Sequence, residues 1–176
     1  MRILPALIAA AGLGLAGPGL AETLKAPMAL ATPTGPGDSI GAITISESPA
    51  GAVFHLDLHG LPPGEHGFHV HAKGACGPAE KDGKTVPAGA AGGHLDPDMT
   101  GAHMGPSGTG HLGDLPKLVV AADGTAKGDL IAPRIKTLDA LKDRSLMIHA
   151  GGDNYADQPA PLGGGGARLA CGVIGG

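Results

Sequence analysis

An all-β fold is predicted by three properties of this chain. Helix breakers are abundant, with 33 Gly and 16 Pro in 176 residues, and both residue types supply turns. Short alternating apolar runs are separated by turn signals at frequent intervals, the pattern of antiparallel strands. Only 2% of residues are aromatic and Trp is absent, so the core has to be assembled from Val, Ile, Leu and Ala. The 42% hydrophobic content fits one domain with its own core.

The elements follow in chain order. Residues 1–21, MRILPALIAAAGLGLAGPGLA, combine an early Arg2, an apolar stretch through Ala16, a Gly-Pro break and small residues at Gly19 and Ala21. This is the pattern of a secretory signal cut after Ala21, too short and too interrupted for a membrane span. It leaves a single domain, 22–176. Leu24 to Ser39 is mixed and Pro-rich, with room for one ragged edge strand. AITIS (42–46) and AVFHLDL (52–58) alternate, the second with Phe54, Leu56 and Leu58 on one face, and Ser-Pro-Ala-Gly between them reads as a hairpin turn. In GFHVH (67–71) Phe68 and Val70 alternate with His69 and His71. Both imidazoles therefore leave the same strand face.

From Ala72 to Pro116 neither period is sustained, and a loop of that length in a small domain is expected to be functional. KLVVA (117–121), an Asp123-Gly124 turn and GDLIA (128–132) read as a further hairpin. LDALKDR (138–144) fits a turn of helix or a loop equally. SLMIHA (145–150) is a strand that places Ser145, Met147 and His149 on one face. A second Gly- and Pro-rich loop, 151–166, leads to the last strand, ARLACGVI. Short strands with two long loops suggest an antiparallel sandwich or barrel carrying a site on its surface.

The formal net charge is −4, and it becomes one unit more negative when Arg2 leaves with the signal. Such a domain has no electrostatic footprint for nucleic acid, and attraction of an anionic substrate has to be local. Cys76 and Cys171 are the only cysteines. In an exported protein they make one possible intramolecular disulfide, a closure that the chain-entropy model credits with roughly 4 to 5 kcal/mol.

The nine histidines carry the functional signal. The long loop holds His94 in GGHLDP, His103 in GAHMGP and His111 in TGHLGDLP, with Asp114 three residues on. With His69, His71 and His149 they form a set in three segments that a β fold can bring together. Loop ligands at that spacing with a closing HxxD can reach one zinc ion, and imidazole also suits copper. The histidines outnumber the four places at one zinc, so the expectation is two ions or one ion with spare ligands. His55, opposite the apolar face of its strand, and His59, at a turn, read as ordinary surface residues. His66 is placed to orient a neighbour by a hydrogen bond.

GFHVHxxGxC, GGHxDP, HxGPxxxGHxGDLP, HAGGDNYADQP and GGGGARLACGVI follow one another here in the order found in copper/zinc superoxide dismutases. Over nearly all of residues 22–176 the chain resembles that family, and its enlarged loop before His94 and its DNYADQP loop resemble the exported, periplasmic bacterial branch. The resemblance implies an eight-stranded Greek-key β-barrel, an architecture that belongs with the β-sandwiches. It implies one copper per subunit on His69, His71, His94 and His149. It implies one zinc on His94, His103, His111 and Asp114, with His94 bridging the two. Asp153 would accept hydrogen bonds from a ligand of each metal, Arg168 would be the active-site arginine, and Cys76 would pair with Cys171.

The implied activity is dismutation of superoxide to dioxygen and hydrogen peroxide, with His94 also a proton donor. The alternative is a periplasmic protein of the same fold that buffers copper or zinc without turnover. The loop 151–167 has no Lys and only Asp153 and Asp157 as acids. Lys73, Lys81 and Lys84, in the loop before His94, are therefore expected to supply the local positive field. The sequence leaves a monomer and a homodimer open, and calls for no membrane partner once the signal is cut.

Overall fold

The computed structural model describes residues 22–175, so the expected signal segment, 1–21, lies outside the described residues. The strands are β1 (Thr23–Thr32), β2 (Gly35–Ser48), β3 (Gly51–Leu58), β4 (Gly64–His66), β5 (Phe68–His71), β6 (Ala79–Lys81), β7 (Lys84–Val86), β8 (Leu118–Val120), β9 (Ala126–Ala132), β10 (Ser145–His149) and β11 (Arg168–Val173). Seven of them pair in the order β5-β10-β11-β1-β2-β3-β9, all antiparallel. β4 pairs with β8. β4 runs on into β5 through Gly67, and β8 is joined to β9 by the bond from Ala121 N to the Thr125 oxygen, 2.8 Å. With β4 and β5 counted as one interrupted strand, the curled antiparallel sheet has the expected eight strands, joined between β8 and β9 by that turn bond and not by a ladder.

Inside it lies a core of buried aliphatic residues such as Ile43, Ile45, Leu58, Leu118 and Ile148. Phe54 and Phe68, the only phenylalanines, meet edge to face with centroids 5.9 Å apart, a favoured aromatic geometry.

Two expectations need correcting. The segment before Ser39 is not a ragged edge strand. It forms β1 and the start of β2, and β1 is central, between β11 and β2. Its inward residues are Ala26 and Met28, both buried, which do not stand out as a strand pattern, and Pro27 between them reads as a breaker. The proline is tolerated because β1 meets β11 only at Ala29 and Leu30, beyond Pro27. The close approach there also depends on Gly172, where a Cβ would collide with the Pro27 carbonyl and the Met28 sulfur.

The second correction concerns KLVVA and GDLIA. Their turn at Asp123-Gly124 forms, but the strands then part, β8 to β4 and β9 to β3. A barrel corner satisfies each strand's ladder on a different neighbour. The open segment 138–144 forms one 3-10 turn, Leu138–Leu141, anchored by buried Leu138 and Leu141.

The long loop is ordered by its own small pieces. β6 and β7 make a hairpin through Asp82 and Gly83, with φ of 52° and 71°, the pair of positive values a type I′ turn requires. A short 3-10 turn, Gly89–Ala91, follows. The Cys76–Cys171 disulfide forms as expected, with Cα atoms 5.7 Å apart, and ties the loop to β11.

Candidate metal centre

β5 pairs with β10 on one side only, which leaves its other backbone edge to be satisfied. The long loop takes that edge. Val70 N donates to Gly113 O at 2.9 Å, Leu95 N to Val70 O at 2.8 Å and Ala72 N to Gly93 O at 2.9 Å. The register sets Asp114 opposite His69 and His94 opposite His71. Gly113 is required for this approach, because a Cβ there would strike the Val70 carbonyl. Backbone hydrogen bonding thus delivers two residues of the loop to the strand that already carries His69 and His71. His149 arrives on the other side, at the end of β10, its N–H donating to Gly67 O at 2.8 Å.

Two groups result. His69, His71, His94 and His149 each offer a ligand atom, all within 4.8 Å of one another, and so do His94, His103, His111 and Asp114. All seven residues are buried. Among the described residues, seven buried side-chain nitrogen or oxygen atoms have no hydrogen-bond partner. Six are ring nitrogens of this cluster: His69 Nδ1, His71 Nε2, His94 Nε2, His149 Nε2, His103 Nδ1 and His111 Nδ1. Orphaned polar atoms of this kind are rare in a core and costly to leave unpaired.

The first four orphans belong to the first group. In the second group three Nδ1 atoms surround Asp114 Oδ1, from His94 at 3.0 Å, His103 at 2.9 Å and His111 at 3.4 Å. The His103 contact is short but off the hydrogen-bonding direction, so its Nδ1 stays unpaired. One all-nitrogen set and one set of three nitrogens and a carboxylate fit copper and zinc respectively. His94 belongs to both.

The opposite ring nitrogens are held. Asp153 accepts from His69 Nε2 and His103 Nε2, both at 2.8 Å, and from Tyr155 N at 2.7 Å. His71 Nδ1 donates to Gly92 O at 2.9 Å and His149 Nδ1 to Gly166 O at 3.1 Å. Such partners fix the tautomer and the aim of a ligand ring.

The electrostatics of the metal-free site differ between the groups. Burial, and after it the neighbouring His94, pulls the His71 pKa down to about 2. Burial likewise lowers His149 to about 3. For His94 it outweighs the Asp114 carboxylate and gives about 4. These rings are neutral and available as ligands. At His103 burial is outweighed by Asp114 and Asp153, and the pKa rises to about 9. Asp114 and Asp153 are lowered despite burial, by the histidines that donate to them. The second group thus attracts positive charge, which a proton supplies when no metal does.

Arg168 opens β11 opposite His149. Its Nη1 and Nη2 donate to Ala88 O and Gly92 O, and it lines a cleft of about 360 Å³ with Lys81, Glu80, Val86 and Leu162. His66 reaches His149 as expected, its Nδ1 2.7 Å from the His149 carbonyl oxygen and its Nε2 2.9 Å from that of Pro62. His55 stays on the outer surface between Ser46 and Asp129, each at 2.8 Å. His59 is exposed at its turn.

Two contributors were not visible in the sequence. Asp157 accepts from His103 N at 2.9 Å and Leu162 N at 3.1 Å, pinning the second loop to the first. Gly92 supplies the carbonyl that His71 and Arg168 share. The glycine pair of GGHLDP was its only signal, since φ 77° and ψ −154° are open to glycine alone.

Barrel and histidine cluster together define a β-barrel protein of the metal-binding class, with two adjoining side-chain groups able to hold ions. The family model for "Copper/zinc superoxide dismutase (SODC)" matches residues 39–174, and the chain belongs to that family. It is 62% identical over 154 residues to "Superoxide dismutase [Cu-Zn]" of Escherichia coli (strain K12), covering 88% of this chain and 89% of that one. The solved "Cu/Zn superoxide dismutase from Brucella abortus" has 56% identity and a TM-score of 0.86, over 87% of this chain and 99% of that one. The monomeric copper, zinc superoxide dismutase from Salmonella enterica has 60% identity and a TM-score of 0.78 over the same shares.

Proposed function

We propose that the chain dismutes superoxide to dioxygen and hydrogen peroxide. In this reading copper is held by His69, His71, His94 and His149, and zinc by His94, His103, His111 and Asp114. The observation that carries it is the convergence of six orphaned ring nitrogens into two groups that share His94. When bound, copper supplies the one-electron chemistry and zinc, which has none, supplies fixed charge.

The chain's own residues do the rest. Arg168 is charged at any working pH and, with its guanidinium anchored on two carbonyls, presents cationic surface to the cleft for a small anion. His94 Nε2 is the atom that exchanges a proton. A buried ring disfavours its charged form, so that proton passes readily to a more basic acceptor such as reduced superoxide. Asp153 keeps the rings of His69 and His103 aimed through both turnovers. Among the lysines, Lys81 lines the same cleft as Arg168, and Lys84 is its cross-strand partner. This supports their role in drawing an anion toward a protein of net negative charge.

Among the described residues no helix is long and apolar enough to cross a membrane. The expected signal and the disulfide support a periplasmic setting. A homodimer would have exposed Val119 and Ile131 to bury. Light scattering that gives the mass of one chain at working concentration rules it out.

The test is superoxide decay by purified 22–176, metal-free, with zinc, and with zinc plus copper, beside a His69→Ala variant. Fast decay that needs both copper and His69 is expected. Two metals bound without turnover would replace this reading by a copper or zinc buffer.

A further inference from the structure

His111 differs from the other clustered histidines in what holds it. His69, His71, His103 and His149 each have the outer ring nitrogen bonded to an acceptor. The carboxylate beside His111 Nε2, Asp96, is 4.0 Å away, beyond hydrogen-bond reach. The ring of His111 therefore takes its aim from the main chain. Its N–H donates to Ala102 O at 2.9 Å, and its carbonyl accepts from Arg134 Nη1 at 2.9 Å. The second arm, Arg134 Nη2, donates to Gly110 O, also at 2.9 Å.

A guanidinium is a rigid planar fork, and here it spans two successive carbonyls. Its base is rigid too. Arg134 sits in the turn after β9, beside Ile135, which is buried. Ile135 bonds to Ala132 O at 3.3 Å and receives Ala52 N of β3 at 2.8 Å. The barrel wall thus reaches across to the loop and fixes the backbone from which His111 projects.

We propose that Arg134 is a positioning residue for zinc: it presets the main chain of His111 so that Nδ1 faces Asp114, His94 and His103 before the metal arrives. The proposal rests on reading these four residues as the zinc site. Asp157 does the corresponding job for His103 from the other loop, through that residue's N–H.

The test compares wild type, Arg134→Ala and Arg134→Lys by chelator competition for zinc and by the visible spectrum of cobalt(II) in the zinc site. Removal of a supporting partner typically costs about 10- to 100-fold in metal affinity. Arg134→Ala is expected to lose zinc affinity in that range and to shift the cobalt bands. Arg134→Lys, one donor in place of two, is expected to recover part of both.

In a His111→Ala background the Arg134 effect is expected to vanish, because a residue that acts through another has nothing left to act on. Arg134→Ala with zinc affinity within twofold of wild type and an unchanged cobalt spectrum overturns the proposal. So does an equal loss with and without His111. Should Arg134→Ala not fold, Arg134→Lys and its His111→Ala double variant decide by the same criteria. Wild type that binds no zinc removes the site reading itself, and this inference with it.

Discussion

His71 Nδ1 and Arg168 Nη2 donate to one carbonyl oxygen, that of Gly92. One peptide thus orients the His71 ring and anchors the guanidinium of Arg168, the cation proposed to meet the substrate. Gly92 holds that peptide at φ 77°, ψ −154°, and a Cβ at such angles costs of order 1–3 kcal/mol. Gly92→Ala is expected to weaken copper binding and lower the rate of superoxide decay together. Copper affinity and kcat/KM measured on one preparation check it. Loss of rate at unchanged copper affinity would break the proposed link.

Asp153 ties the two groups from behind, with both carboxylate oxygens engaged at 2.8 Å by His69 and His103. Asp153→Asn keeps the shape but can accept at one oxygen only. The oxygen that also accepts from Tyr155 N is expected to stay with His103, so the ring that loses its acceptor is that of His69. Copper affinity should fall about 10- to 100-fold and zinc affinity less. Separate titrations with copper and zinc test this.

The metal-free protein should have a stability maximum near pH 6.5. His71, His94 and His149 are lowered to about 2, 4 and 3. Below 6.5 the unfolded chain therefore takes up protons that the folded state refuses, and stability falls as pH falls. His103 is raised to about 9, so its contribution is complete below 6.5 and lost as pH rises toward 9. The acid limb involves these three histidines, joined toward pH 4 by Asp114 and Asp153, whose carboxyls are also held low, and the alkaline limb one group, so the acid fall should be steeper. Urea midpoints from pH 4 to 9 measure both. Zinc should abolish the alkaline limb, because it replaces the proton of His103.

Lys81 shares the cleft with Arg168, so Lys81→Ser should lower the rate at low ionic strength by about two- to threefold and flatten its salt dependence. Lys127→Ser, on β9 and outside that cleft, is the comparison. Equal salt slopes in wild type and Lys81→Ser would remove Lys81 from the steering role.

The sequence announced the chemistry more clearly than the architecture. His69 and His71 on one strand face, the spaced loop histidines and Asp114 were all legible, because a metal needs particular side chains that seldom recur by chance. β1 was not, since Ala26, Pro27 and Met28 carry no strand pattern and it is pairing along β2 that makes them one. The β6–β7 hairpin had a signal in Asp82-Gly83 that the surrounding Gly- and Pro-rich stretch masked. Arg134 and Asp157 act on backbone atoms of residues far along the chain. No local spacing encodes such contacts.

The central claim is that one imidazole, that of His94, joins the two sites. The most direct test is the EPR signal of copper(II) in protein whose zinc site holds first zinc and then cobalt(II), with cobalt occupancy read from its visible bands. Two paramagnetic ions on one ring couple through it, so the copper signal seen beside zinc is predicted to disappear beside cobalt. A copper signal left unchanged by bound cobalt would contradict the shared ring.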